Sequence, residues 1–566
     1  MGIEEKRNRV INKKKFIRNI CISLVALLIV AGIFVIAPNY MKEEDDGKLH
    51  LLINNKNLTS SERLSNDILI ENGVIYLSKD DISRFFDKYL YYDSKYNQYI
   101  TTSDTKVATI EVGAYKMEVN GISSAIAGTI LERNGAIYLP FSEMADIYNV
   151  EVQNIEETNT VIVDSLDREQ KQAEASKNLS IKLKTKFFSR TIDKVEKGEK
   201  VVIISKTDDG WTRVRTARGK IGYVKTNKLQ NETIVRENLE KASQIENKKI
   251  SMVWDYYSES KVAPNRSGTT ITGINVVSPS FFVLKKLGQG EIIDKVGENG
   301  KQYISWAKSN NYKVWAMFAN DSMIETTSEI VNDYRLRKQT IEKIVDLSVR
   351  YGIDGINLDF ENIYQEDRDA YTRFVTELYP RLKDVGMALT VDVTAPDGGA
   401  NWSLCYDRDA LADNCDYLVF MAYDQNNGSS TKAGPVASYT WVKNNVDKFL
   451  GQEAVSNKKL ILAMPFYTRL WTENSEGKLI KTSIVNMKDV NNVISGKGTP
   501  TWDETTRQEY LEYTQGNNTY KIWIENSKSI KEKLLLIKNK DLAGAAYWAK
   551  DRESGDIWEV INENLK

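Results

Sequence analysis

Residues 354–362 read DGINLDFEN, with Asn357, Asp359 and Glu361 alternating with Ile356, Leu358 and Phe360. Side chains alternate across a β-strand, so the carboxamide and the two carboxylates share one face and the apolar residues share the other. Successive Cα atoms on the polar face lie roughly 6–7 Å apart. Asp359 is then within electrostatic reach of Glu361. Burial and a neighbouring carboxylate both raise a carboxyl pKa. A glutamic acid kept protonated near neutral pH can serve as a general acid. A purely structural row of carboxylates is disfavoured, because burying uncompensated charge is expensive.

The stretch belongs to a series. From Lys248 onward, short apolar runs alternate with helix-like segments. The runs are 250–257, 273–282, 313–320, 355–362, 388–396, 416–424, 459–467 and 544–549. Helices are expected over Thr340–Tyr351 and Tyr371–Val385. Such a series predicts a (β/α)8 TIM barrel over 248–566, with the opening stretch as its fourth strand. In that fold, polar residues at the C-terminal strand ends form the site. Thr468–Asp541 reads as a long α+β insertion before the last strand, with Trp502 and Trp523 in β-like segments. Trp254, Tyr256, Tyr257 and Trp315 near strand ends are either sugar platforms or ordinary core. Asp392, on the fifth run, reads as a supporting polar group without an assigned role.

The whole chain narrows the chemistry. Its 566 residues exceed one core, so the architecture is multidomain. A net charge of −1 gives no basic field for nucleic acid. The one histidine, His50, excludes a histidine-based metal cluster and disfavours Ser-His-Asp or Cys-His catalysis. Acid–base work falls to carboxylates, tyrosine or lysine, with no cofactor and no metal. Cys405 and Cys415 read as small buried hydrophobes, with a bridge as the alternative.

Ile20–Ala37 is uncharged and follows a basic tail, 1–19. This predicts a single-pass anchor over 20–37 with its N-terminus cytoplasmic and the bulk of the chain extracytoplasmic. A cleaved signal peptide is the alternative. Between 48 and 165 lies a repeat: NGVIYL at 72–77 followed by SKDDISRFF, and NGAIYL at 134–139 followed by PFSEMADIY. Each copy predicts a turn, a short strand and a short helix. Residues 168–177 read as a helix-prone linker, 178–230 as a small curled β-barrel, and 231–247 as a second charged connector.

These features carry resemblances. DGINLDFE resembles the DGxDxDxE signature of glycoside hydrolase family 18, MAYD (Met421–Asp424) its M-x-Y-D, and Trp548 the tryptophan that floors its sugar site. PFYTRLW (465–471), SPSFF and KVWAMFAN look like the bacterial branch acting on spore and cell-wall peptidoglycan. The 48–165 repeat resembles the domain named after the N-terminal region of copper amine oxidases. DGWTRV (209–214) and GKIGYV (219–224) resemble the bacterial SH3-like domain, with Trp211 and Tyr223 read as core.

The family resemblance implies substrate-assisted retaining hydrolysis, outside the two-carboxylate scheme. Glu361 protonates the glycosidic oxygen and later activates water. The substrate's acetamido carbonyl attacks the anomeric carbon. Asp359 orients the acetamido N–H, Tyr423 binds its oxygen, and Trp548 stacks beneath the ring. Asn357, Met421 and Asp424 line the sugar site. The implied partner is an N-acetylglucosamine-containing polysaccharide, peptidoglycan first, reached in the cell wall from the membrane. A chitinase, an endoglycosidase on another glycan, and a non-catalytic wall-binding protein are the alternatives. Asn357 departs from the family's aspartate. An amide cannot share a proton with Asp359, so Asp359 is expected to stay ionised to lower pH.

Overall fold

The computed structural model describes residues 2–40, 47–58, 64–186, 189–236, 248–258, 260–396 and 398–565, with side chains at 3–10 and 32–40 outside that description. The chain divides into two compact units. One comprises Met1–Leu90, Ile110–Met117 and Ser123–Ala242; the other comprises Tyr91–Thr109, Glu118–Ile122 and Ser243–Lys566.

The second unit contains the barrel. Its strands are β1 (Ile250–Asp255), β2 (Val276–Pro279), β3 (Lys313–Ala319), β4 (Gly355–Asp359), β5 (Ala388–Val393), β6 (Tyr417–Met421), β7 (Leu460–Pro465) and β8 (Gly544–Trp548). All eight expected runs are strands, each pairs in parallel with its neighbours, and the β8–β1 and β2–β3 pairings close the ring. Both faces of such strands are covered, which is why they read as near-continuous apolar runs. Ile356, Leu358 and Phe360 are fully buried in the layer between strands and helices. Met252, Trp254, Trp315, Met317 and Val419 fill the inside of the ring. Gly355 opens β4 because a Cβ there would sit 2.6 Å from the Ala388 carbonyl oxygen.

The helices flanking β4 show why the register is firm. Helix Tyr334–Tyr351 begins at Asp333, whose side chain accepts from the amides of Arg335 and Leu336, and ends at left-handed Gly352. Helix Arg368–Asp384 packs beside it. Between them, buried Arg337 donates to both oxygens of Glu377, at 3.1 Å each. The hairpin of Tyr91–Asp93 and Gln98–Thr102 belongs to this same unit. Its Tyr96 hydroxyl donates to Asp333 at 2.9 Å. The expected 48–165 domain is therefore divided between the two units.

The insertion is a five-stranded antiparallel sheet of Tyr467–Glu473, Leu479–Asn486, Thr501–Asp503, Gln508–Gln515 and Asn518–Ile524, with a short helix Val490–Ile494. It ends earlier than its expected limit at Asp541. Ser527–Lys540 is a barrel helix, started by an Asn526 capping box and leading into β8.

In the first unit, both Asn-Gly turns have positive φ at each residue, the geometry of a two-residue hairpin. The two repeat hairpins join into one sheet through Leu77 beside Leu139. The expected short helix is α-helical in the first copy, Lys79–Phe85, and a single 3-10 turn in the second, Phe141–Met144. A seven-stranded sheet follows, and here the linker readings give way. Gln170–Ala175 and Leu229–Arg236 are paired strands of that sheet. Ala175 and Leu229 pack against its core and Ala173 is buried, and the burial of the two alanines outweighs the helix propensity of the first strand. Trp211 is buried in this sheet and Tyr223 is half-buried. Residues 237–247 of the second connector lie outside the described residues.

The expected anchor lies within one helix, Ile3–Tyr40. Among the described residues no helix is long and apolar enough to cross a membrane. The expected span, 20–37, runs past residue 31 into positions whose side chains lie outside the description.

Candidate active site

β4 ends at Asp359, and the chain turns away over Phe360, Glu361 and left-handed Asn362. That turn is held from three sides. Asn320, buried at the end of β3, accepts from the Glu361 amide at 2.9 Å and donates to the Glu361 carbonyl at 2.8 Å. Its side chain replaces the backbone partner that the finished strand no longer supplies. The Tyr406 hydroxyl donates to the Phe360 carbonyl at 2.8 Å, and Asn362 Nδ2 donates to the Ser322 carbonyl at 3.2 Å. The Glu361 side chain is left to face the cleft that it lines.

Beneath Asp359 lies Asn357, fully buried. Its Oδ1 accepts from Trp254 Nε1 at 2.6 Å and Ser278 Oγ at 3.1 Å. Its Nδ2 donates to Thr390 Oγ1 at 3.0 Å and Asp392 Oδ1 at 2.6 Å. All four hydrogen-bonding positions of the amide are used. Asn357 therefore supports the site from below and has none left for a sugar.

The electrostatics follow from burial without a cation. Burial, with Asp321 adding, pushes the Asp359 carboxyl up to about 7. Burial, then Asp359 and Asp424, push Glu361 up to about 8. The amide at 357 spares Asp359 one neighbouring charge, yet burial still holds this carboxyl above its ordinary range. Removing a carboxylate at 357 does not leave Asp359 in a solvated or cationic setting, and burial beside Asp321 dominates. Burial also keeps the Tyr423 phenol protonated, well above its ordinary range. Tyr423 is half-buried, with its ring edge-on to Tyr467 at 6.4 Å.

The cleft above these groups has a volume of about 400 Å³. Asp359, Glu361 and Trp548 line it together with Tyr256, Lys295 and Asp321. Trp548 packs edge-on against Trp254 at 5.6 Å and beside exposed Tyr256 at 5.5 Å. Arg266 fixes this wall by donating to both oxygens of Asp255, at the end of β1, and to both of Asp551, after β8. Asp424, left-handed at φ 56°, accepts from the Tyr467 hydroxyl at 2.7 Å. Met421 is buried at the end of β6. Of the remaining aromatics, Trp254, Tyr257 and Trp315 are core. Trp523 packs at a tilt against Tyr510 within the inserted sheet, and Lys528 sits over Trp502. Cys405 and Cys415 are buried free thiols.

The sequence reading passed over Asn320, Asp321, Tyr467 and Lys295. Asn320 had a usable signal, being the polar residue that closes the apolar run KVWAMFAN. Asp321 and Lys295 are placed by loops whose course no periodicity encodes, whereas Tyr467 closes the seventh apolar run and opens the first strand of the inserted sheet.

Two family profiles match the chain. The profile of glycosyl hydrolases family 18 matches residues 249–553, and that of the copper amine oxidase N-terminal domain matches residues 52–163. The uncharacterized glycosylase YvbX of Bacillus subtilis (strain 168) is 24% identical over 52% of this chain and 86% of its own. The cortical fragment-lytic enzyme of the same organism is 24% identical over 42% of this chain and 55% of its own. Human di-N-acetylchitobiase is 24% identical over 41% of this chain and 70% of its own. Among solved structures, the Bacillus cereus spore cortex-lytic enzyme SleL aligns over 65% of this chain and 89% of its own, at 16% identity and TM-score 0.49. The family match spans more than half of the chain and coincides with the barrel whose fourth strand delivers Asp359 and Glu361, so the chain belongs to glycosyl hydrolases family 18.

Proposed function

We propose that this enzyme hydrolyses N-acetylglucosamine-containing glycan, peptidoglycan first, by a substrate-assisted retaining mechanism. The observation that carries the reading is a pair of desolvated carboxyls, one at the end of β4 and one just past it, raised to about 7 and about 8 and lining the cleft together. Near neutral pH, Glu361 holds the proton that the leaving oxygen needs, and Asp359 is about half ionised. The substrate's acetamido carbonyl attacks the anomeric carbon as Glu361 protonates the glycosidic oxygen. Asp359 accepts the acetamido N–H and stabilises the oxazolinium charge. Tyr423 donates to the acetamido oxygen, and Trp548 carries the ring. Glu361, now ionised, takes a proton from the water that opens the oxazolinium. Both displacements are on one carbon, so configuration is retained.

The likeness to a cortical fragment-lytic enzyme favours peptidoglycan. Lys295 on the cleft wall has the charge that a lactyl or peptide carboxylate would meet. The likeness to di-N-acetylchitobiase favours a second reading, a chitin-type oligosaccharide in the same cleft. The apolar stretch 20–37 behind its basic tail would hold the chain at the membrane, facing outward. The repeat domain and the SH3-like sheet would then act as spacer and wall contact.

The test is saccharide release from purified peptidoglycan by wild type and Glu361→Gln. Release by wild type alone supports the proposal. Cleavage of chitooligosaccharides without release from wall supports the second reading. Binding without release from either substrate overturns catalysis.

A further inference from the structure

Two carboxyl oxygens on neighbouring barrel strands, Asp359 Oδ1 and Asp392 Oδ2, are buried and have no hydrogen-bond partner. β4 and β5 run parallel with Leu358 beside Val391, so the next position on each is Asp359 beside Asp392. The other Asp392 oxygen is occupied, accepting from Asn357 Nδ2 at 2.6 Å. The titratable groups that face Asp392 are Asp359 and Glu361 from β4 and its turn, Tyr423 after β6, and Tyr371 from the helix Arg368–Asp384, with Asp321 beyond Asp359. None of them is a cation. Two ionised carboxylates side by side here would be uncompensated, whereas one proton between the orphan oxygens satisfies both.

We propose that Asp392 is a protonated carboxylic acid in the working enzyme and donates its Oδ2–H to Asp359 Oδ1, which makes it a positioning residue for Asp359. The proposal rests on the substrate-assisted reading above. Asp359 stays ionised and keeps Oδ2 for the acetamido N–H. The proton remains on Asp392 throughout, so no bond to it is made or broken in the cycle. Burial, and then the Asp359 charge, push the Asp392 carboxyl well above its ordinary range, while the Asn357 amide pulls it down. The amide at 357 acquires a purpose. By donating to Asp392 Oδ1 it leaves Oδ2 as the oxygen that carries the proton. The acid partner of Asp359 thus sits on the next strand rather than two residues earlier on its own.

The experiment measures the pH dependence of kcat/KM on solubilised peptidoglycan for wild type, Asp392→Asn and Asp392→Ala. Asparagine imitates a neutral acid, accepting from Asn357 and donating to Asp359. Its kcat/KM is expected within about threefold of wild type, with the acid limb unmoved. Alanine removes the donor and strands Asp359 Oδ1. Its acid limb is expected to move up by about one unit and kcat to fall about tenfold, with KM changed less. The opposite charge state gives the opposite sign, because removing an anion beside Asp359 lowers its pKa. An acid limb moving to lower pH in either variant, or an unchanged profile in Asp392→Ala, overturns the proposal. If Asp392→Ala does not fold, Asp392→Asn decides by the same sign. Inactivity or inversion by wild type would instead count against the mechanism on which the proposal rests.

Discussion

Two glutamates in the barrel unit, one buried and one half-buried on the cleft, live in opposite surroundings. Glu525 lies at the end of the inserted sheet, wholly inaccessible. It accepts from Lys533 Nζ at 2.8 and 2.9 Å, from Gln508 Nε2 at 2.6 Å and from Ser529 Oγ at 2.7 Å. Glu361 lies just past β4, with Asp359 and Asp424 raising its pKa and no cation compensating it. Burial raises the carboxyl pKa at both, but at Glu525 the lysine and the hydrogen bonds pull it back. A buried acid with its partners supplied is part of the structure. A buried acid denied them holds a proton that it can give away.

The largest expected effect separates the two residues by activity. Glu361→Gln should lower kcat about 10³-fold, measured as reducing ends released. The same variant should be more heat-stable than wild type at pH 7. The native Glu361 must stay protonated up to about 8, whereas an unfolded glutamate ionises at roughly 4.3, so the native state loses stability as pH rises through that window. The gain should fade as pH falls toward 4. Glu525→Gln should behave conversely. It leaves the Lys533 cation buried and unpaired, costing about 3–5 kcal/mol by urea unfolding, with kcat of the folded enzyme preserved. Equal stability losses in both variants would erase the distinction.

Asn320→Ala comes next. Losing the clamp on the Glu361 backbone should cut kcat about 10- to 100-fold with KM affected less, read from initial rates. A smaller step is Asn357→Asp. It replaces the N–H that Asp392 accepts with an oxygen and adds charge below Asp359, so the acid limb of the kcat/KM profile should rise by about one unit. Smallest is Tyr467→Phe, which frees Asp424 and should cost about fivefold in kcat/KM.

The barrel was legible in the sequence because its strands are buried on both faces. Continuous apolar runs such as LILAMP (460–465) survive any reading of local propensity. The inward polar face of β4 was legible for the same reason, since Ile356, Leu358 and Phe360 leave Asn357, Asp359 and Glu361 no other side. What the sequence hid lies across strands. Asn357 looks like a ligand when only its own strand is considered, and becomes a support once Trp254, Ser278, Thr390 and Asp392 surround it. Asp392 and Asn320 act through residues 35 and 41 positions away, separations no periodicity reports. The strands Gln170–Ala175 and Leu229–Arg236 were misread because polar, helix-prone side chains dominate both: the first is interior to its sheet with only Ala173 and Ala175 buried, and the second is an edge exposed over most of its length.

The central claim is that a protonated Glu361 and the substrate's own acetamide perform the chemistry. The anomeric configuration of the first product, read by proton NMR before mutarotation, tests it most directly. The account predicts that a β-linked N-acetylglucosaminyl substrate yields the β-anomer first. An α-anomer appearing first would require water attacking from the opposite face and would contradict the account.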